Sequence, residues 1–253
     1  MSEEKRLESR LMARPLAGKR ALVTGGAKRI GRALALALAE AGADVAITYR
    51  GSERDAQETV RALKVFGGKA LAVSCDLREE PSVNAAVGAT VDALGGLDLL
   101  VNNAGAFETM PLEQISVAEW DAMFEVNTRG PFLVAKSAYP YLKTAHGRIV
   151  NIGSLGGIHA WATHAHYCTS KAALHMLSYT MAKAWAPEIS VNCVAPGMIV
   201  MGELNPVYEE FALKTPMQRN GRAEDVAAAV IFFATGPHFI TGQLLAVDGG
   251  LGL

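Results

Sequence analysis

Cysteine is scarce in this chain of 253 residues: there are three, Cys75, Cys168 and Cys193. They lie far apart and form no CxxC pair, which excludes a disulfide framework and a zinc site of that type. Such sparse thiols suit a reducing compartment. Aromatic residues are few, at 7%. No apolar run approaches the ~20 residues of a membrane span. The longest, Ala227 to Ala234, reads as core helix. The opening stretch, MSEEKRLESRLMARP, mixes both charge signs around no apolar segment, unlike a secretory signal. Residues 1–15 read as a flexible or partner-packed arm, and the default location is the cytoplasm. Charge of one sign is also missing. With 24 basic against 25 acidic residues the formal net charge is −1. A nucleic-acid binder usually carries a basic excess, so no nucleic-acid partner is expected, and no membrane.

What the chain does have is apolar residues, at 50%, enough for one sizeable core. Short buried-strand patterns alternate with longer amphipathic ones. The strand patterns are Ala21 to Thr24, Val45 to Tyr49, Ala70 to Ser74, Leu97 to Val101, Arg148 to Ile152, Ser190 to Val194 and Leu244 to Val247. Helical patterns run Ile30 to Ala41, Glu53 to Phe66, Val83 to Leu94, Ala118 to Leu142, Tyr167 to Trp185 and Glu224 to Ala234. This β-α rhythm predicts an α/β fold, a doubly wound parallel sheet of Rossmann type with helices on both faces. Residues 16–253 read as a single domain. Met198 to Gly221 breaks the rhythm and reads as a substrate loop.

The first strand runs into Thr24-Gly25-Gly26-Ala27-Lys28-Arg29-Ile30-Gly31, and a helix follows at once. Glycines there permit a tight turn and close approach to a phosphate. The helix N-terminus adds N–H groups and positive dipole for a pyrophosphate. No GK[ST] closes the loop, so the Walker pattern is excluded. NAD sites usually place a carboxylate at the end of the second strand. Here it ends Tyr49-Arg50-Gly51-Ser52. Arg50 can grip a 2′-phosphate, with Ser52 beside it and Lys28 and Arg29 nearby, which favours NADP. The plainer alternative is that all three cations are solvated surface charges.

In order along the chain stand TGGAKRIG, Asp76-Leu77, Asn102-Asn103-Ala104-Gly105, Asn127, Ser154, Tyr167-x-x-x-Lys171, Pro196-Gly197 and Asp248-Gly249-Gly250. This ordered set resembles the short-chain dehydrogenase/reductase family over nearly everything after the arm. The resemblance implies catalytic Asn127, Ser154, Tyr167 and Lys171. It implies that Asp76 contacts an adenine, with Leu77 beside it. Asn103, Ala104 and Gly105 would line the ribose, and Pro196, Gly197 and Ile199 the nicotinamide. It further implies an NADP(H)-dependent oxidoreductase acting on a small carbonyl substrate, and a homotetramer. The family usually has Gly at Arg29; Arg there resembles the pteridine-reductase branch. Met201 stands where the family often has a Thr that bonds the carboxamide.

The chemistry fits these residue types. Tyr167 and Lys171 are four apart on a helix and share a face. A protonated Lys171 and an oxidised nicotinamide would both favour the phenolate. Ser154 follows a strand at its carboxyl end and can bond the reacting oxygen. Asn127 resembles the family residue that holds a water beside the lysine. Taken singly, each residue also has a structural reading; together behind a phosphate loop they read as catalytic. His164, His166 and Cys168 suggest a metal, but no fourth ligand is placed, so no metal is expected. Phe107 is either core packing or a platform for a flat substrate. The rival functions are pteridine reduction and, in another class, a non-catalytic NADP-binding regulator.

Overall fold

The computed structural model describes residues 14–203 and 205–253. The expected arm therefore lies outside the described residues up to position 13. At its end Arg14 Nη2 donates to the Phe66 carbonyl at 2.8 Å, and just beyond it Leu16, buried, donates its N–H to the Ala41 carbonyl.

Seven strands form one parallel sheet: β1 (Arg20–Val23), β2 (Asp44–Tyr49), β3 (Ala70–Ser74), β4 (Leu99–Asn102), β5 (Arg148–Ile152), β6 (Ser190–Pro196) and β7 (Leu244–Val247). Their order is β3-β2-β1-β4-β5-β6-β7. The chain leaves β1 in one direction and returns beside it as β4. That reversal opens a crevice at the carboxyl ends of β1 and β4, where such sheets bind ligands.

Three helices cover one face: α1 (Arg29–Glu40), α2 (Glu53–Lys64) and α8 (Ala223–Thr235). In α2 the buried residues are Ala56, Thr59, Val60 and Leu63, the 3–4 spacing of an apolar stripe. The other face carries α3 (Glu80–Leu94), α5 (Gly130–Thr144) and α6 (Ala165–Trp185). Helix α3 opens with Pro81 in its first turn and stops at Gly95, whose φ of 85° is left-handed.

Two expectations need correction. The single helix predicted from Ala118 to Leu142 is broken. Helix α4 (Val117–Phe124) passes through a π-turn, Glu125–Arg129, into α5. The apolar period continues across the break, so the pattern conceals it. The turn is held from outside: Asn127 Nδ2 and Thr128 Oγ1 donate to Ser170 Oγ and the Ser170 carbonyl on α6. Such insertions occur often at functional sites. Second, the segment 198–221 is not all loop. It contains α7 (Pro206–Lys214), started by Asn205, whose side chain accepts from the Tyr208 N–H, and by Pro206.

A buried polar chain ties the centre together. Asn102 Nδ2 on β4 donates to Asn151 Oδ1 on β5, and Asn151 Nδ2 donates to Ser178 Oγ on α6. Ser178 Oγ in turn donates to the Leu174 carbonyl. Buried polar side chains are mostly hydrogen-bonded, and these bonds hold α6 in register on the sheet.

Candidate active site

The glycine-rich turn after β1 is clamped from three sides. Thr24 Oγ1 accepts the N–H groups of Asn103 and Ala104, at 3.0 and 3.1 Å. Asn103 Nδ2 donates to the carbonyls of Thr24 and Gly25. The Gly25 N–H donates to Thr48 Oγ1, and Thr59 Oγ1 to the Ala27 carbonyl. Gly25 has φ 64°, and a Cβ on Gly31 would stand 2.5 Å from Asn103 Nδ2. Arg29 adopts φ 52°, the left-handed region, which explains why glycine suits that place. No side chain caps α1 at Lys28, so its first N–H groups and dipole face the crevice.

The cations are not free of acids, as the sequence pattern suggested. Lys28 pairs with Asp55 of α2 at 3.0 Å. Arg50 lies 3.9 Å from Asp76, with most of its side chain exposed. Asp76 is mainly held by Arg78, which bonds both its oxygens. Those bonds pull its carboxyl down to about 2. Neither acid comes from the second strand, so the sequence at Arg50 could not reveal them. Arg50 keeps its exposed guanidinium at the end of β2, with Ser52 beside it half-buried.

Gly105 joins the loop to the other half of the site: a Cβ there would stand 3.1 Å from Asn127 Oδ1 and 3.4 Å from Lys171 Nζ. Asn127, fully buried, grips Ala106 at both ends, accepting its N–H at 2.7 Å and donating to its carbonyl at 3.0 Å. Its Nδ2 also donates to Ser170 Oγ at 3.0 Å. Leu77 packs where a Cβ on Gly130 would reach it at 3.0 Å. On the far side Gly197 donates to the Val247 carbonyl, and its missing Cβ makes room for Asp248. Pro196 ends β6, buried, and Ile199 is buried beside Gly221.

Tyr167, Lys171 and His175 occupy one face of α6. Lys171 Nζ donates to the Ile152 carbonyl at 2.9 Å. Burial pushes its amine down to about 8. One carbonyl does not offset the several kcal/mol that desolvating an ammonium costs, so the charge is weakly held. Burial raises the Tyr167 phenol above its ordinary range, and a hydrogen-bonding interaction with Ser154 partly opposes this. The lowered phenol expected beside Lys171 is therefore reversed in the protein alone: burial disfavours phenolate more than its neighbours favour it. Ser154 is buried, and its Oγ accepts the Gly156 N–H at 3.1 Å.

Rings surround Tyr167. Phe107 meets it edge-on at 4.8 Å, and Trp161 lies nearly parallel at 6.1 Å. His164 tilts against Phe107 at 5.0 Å and its two ring nitrogens bond Thr109 and Thr163. Phe107 is 58% exposed, so it is not core packing. His166 is fully buried with neither nitrogen bonded, and Cys168 is buried; among the described residues no three His, Cys, Asp or Glu side chains are grouped to hold a metal ion. Trp161 and His175 were not foreseen. The helical spacing from Tyr167 to Lys171 to His175 was the available signal for the second.

A family model described as enoyl-(acyl carrier protein) reductase matches residues 25–252. The 3-oxoacyl-[acyl-carrier-protein] reductase of Synechocystis is 36% identical over 91% of this chain and 96% of its own. The chain belongs to the short-chain dehydrogenase/reductase family. The 3beta-hydroxysteroid dehydrogenase 1 of Eggerthella lenta is 36% identical, covering 94% of this chain and 95% of its own. A short chain dehydrogenase from Burkholderia cenocepacia, solved in complex with NADP, superposes with a TM-score of 0.89 at 39% identity, covering 94% of this chain and 99% of its own. This short-chain dehydrogenase/reductase is thus an oxidoreductase, and the glycine cradle and uncapped α1 fit a dinucleotide. No helix among the described residues is long and apolar enough to cross a membrane.

The depressed Lys171 amine makes a prediction about stability. Between about pH 8 and the ordinary lysine value near 10.5 the unfolded chain binds more protons at this position than the folded one. The stability of wild type relative to Lys171→Met should therefore rise with pH across that window. Paired urea titrations at pH 8 and 10 check it; a falling difference would contradict the assignment.

Proposed function

We propose that this chain is an NADP(H)-dependent reductase of ketones or 3-oxoacyl compounds, built as one unit over residues 16–253 and acting in the cytoplasm as a homotetramer. The observation that carries the reading is the meeting of Ser154, Tyr167 and Lys171 at the carboxyl end of β5, beside the pinned glycine turn. The cofactor would lie along Gly25, Lys28, Arg29, Ile30 and Gly31, with Arg50 and Ser52 at its 2′-phosphate and Asp76 and Leu77 at its adenine. Asn103, Ala104 and Gly105 would face its ribose, and Pro196, Gly197 and Ile199 its nicotinamide. The Burkholderia cenocepacia relative, solved with NADP, supports this choice of dinucleotide.

When bound, NADPH supplies the hydride. The protein's part is to hold and move a proton at the carbonyl oxygen. Ser154 Oγ already accepts from Gly156, so its own proton is free to bond the substrate oxygen. Tyr167 keeps its proton at neutral pH as an ordinary phenol does, and burial holds it more firmly, which suits a donor. Lys171 would orient the ribose, and Asn127 acts by fixing the Ala106 backbone beneath it.

Substrate class follows from the walls. Phe107, Trp161 and His164 offer flat apolar faces near the Tyr167 hydroxyl's ring, which favours a ketone carrying a ring or an apolar body. Exposed Phe107 also gives the pteridine reading its one specific support. Ser154 argues against it, since a hydroxyl suits a carbonyl oxygen better than proton relay to a ring nitrogen. A silent NADP-binding regulator would have no need of the complete set. The segment 198–221 would choose among substrates; within it Met201 donates its N–H to Tyr208 Oη.

Two measurements test the reading. NADPH consumption should be seen with cyclic and aryl ketones or a 3-oxoacyl thioester, and Tyr167→Phe should lower kcat at least ~100-fold. NADPH should bind at least ~10-fold tighter than NADH, about 1.4 kcal/mol, and Arg50→Asp should erase that preference. Wild-type turnover in Tyr167→Phe, or equal affinities, would contradict it; a dihydropterin with ~10-fold higher kcat/KM would favour the second reading. The tetramer rests on apolar side chains left outside, such as Phe132 on α5 and Met176 on α6, beside a groove where Phe124, Phe132 and Leu177 alternate with Asp121, Glu125 and Arg129. Light scattering should give four chains at micromolar concentration; a monomer would refute it.

A further inference from the structure

His175 lies two helical turns below Tyr167 and has no part in the proton transfer just described. It is buried, 5% exposed, in a slot whose walls are two glycines. A Cβ on Gly153 would collide with its Nε2, and a Cβ on Gly157 would stand 2.5 Å from its Cε1. A ring has been fitted into this slot where the neighbouring backbone carries no side chains. Its Nε2 accepts the N–H of Ser154 at 3.3 Å. The proton of the neutral ring is then on Nδ1.

We propose that His175 is a positioning residue for Ser154: its imidazole accepts the serine's backbone N–H and so sets the direction of the serine hydroxyl. The inference rests on the reading of Ser154 given under the proposed function. Four contacts fix Ser154 in space, one of them the Gly157 N–H on its carbonyl at 3.0 Å. The Lys171 bond to the Ile152 carbonyl holds the chain two residues earlier. The Gly156 N–H occupies one lone pair of Oγ. His175 fixes the main chain at Ser154 itself. Without it, a buried N–H would lose its acceptor and the turn would rotate to find another.

Charge supports the geometry. Burial first, and then the charge of Lys171 one turn away, push the imidazole down to about 4. At neutral pH Nε2 is therefore unprotonated and able to accept. A residue that packs without accepting would fill the slot but leave the Ser154 N–H orphaned. Packing and positioning thus make different predictions, and the difference can be read.

The experiment is a double-mutant cycle read as kcat with NADPH and a ketone that the wild type reduces. His175→Leu should lower kcat about tenfold while leaving NADPH affinity within twofold. His175→Gln, which restores an oxygen acceptor, should recover part of that loss. In a Ser154→Ala background His175→Leu should change kcat less than twofold, because the group it positions is gone. His175→Phe fills the slot without an acceptor and serves if the leucine variant does not fold. An unchanged kcat in His175→Leu or His175→Phe overturns the proposal. So does the same tenfold loss in the Ser154→Ala background, which would mark a packing role. Wild-type kcat in Ser154→Ala alone would instead overturn the reading of Ser154, and the positioning role with it.

Discussion

Lys171 donates to the Ile152 carbonyl from a nearly fully buried position, and that bond seats α6 on the end of β5. The contacts around it follow from the helical period. Tyr167, Lys171 and His175 recur every four residues, and Ser178 three beyond, so they form one row facing the strand's exit. Ser178 takes Asn151, Lys171 takes Ile152, and His175 takes Ser154. One helix therefore reads backbone and side-chain groups at three positions along one strand and its turn. Shifting α6 by a single residue would move every one of these partners off the strand. This docking sets where Tyr167 stands relative to Ser154.

The second constraint is the clamp on the glycine turn, and it shares parts with the first. Asn102 of β4 bonds Asn151 of β5 in the core, while the next residue, Asn103, holds the carbonyls of Thr24 and Gly25. The glycine turn and the Ser154–Tyr167 side are thereby braced against the same two strands. Asn127, pinned in the π-turn, adds a third brace through Ala106. Such a site depends on buried polar bonds more than on apolar area, and each orphaned partner would cost about 1–3 kcal/mol.

Much of this was legible from residue order alone. The strands read as buried runs bounded by Gly, Asp or Asn, and all seven were found. The motif residues announced themselves by type and sequence position. The π-turn did not, because the apolar period runs on through Asn127 and the break is imposed by Ser170 across the fold. Helix α7 carried a start signal, Asn205-Pro206, obscured by the mixed polarity around it. The Asp76–Arg78 and Lys28–Asp55 pairs depend on how loops fold back, which local pattern does not encode. The raised Tyr167 phenol follows from burial, and burial of a half-polar helix end is a tertiary outcome. For His175 the four-residue spacing was the one signal, and it does not reveal a role that lies in what a glycine-lined slot leaves room for.

The central claim is that Tyr167 on α6 and Ser154 after β5 each give a hydrogen bond to one reacting oxygen. A crystal structure of the chain with NADP and an unreactive ketone analogue tests it most directly. The account predicts the ligand's carbonyl oxygen within ~3.2 Å of both Tyr167 Oη and Ser154 Oγ, with Lys171 Nζ still bonded to the Ile152 carbonyl. An oxygen that sits on neither hydroxyl, with the analogue bound elsewhere in the crevice, would contradict it.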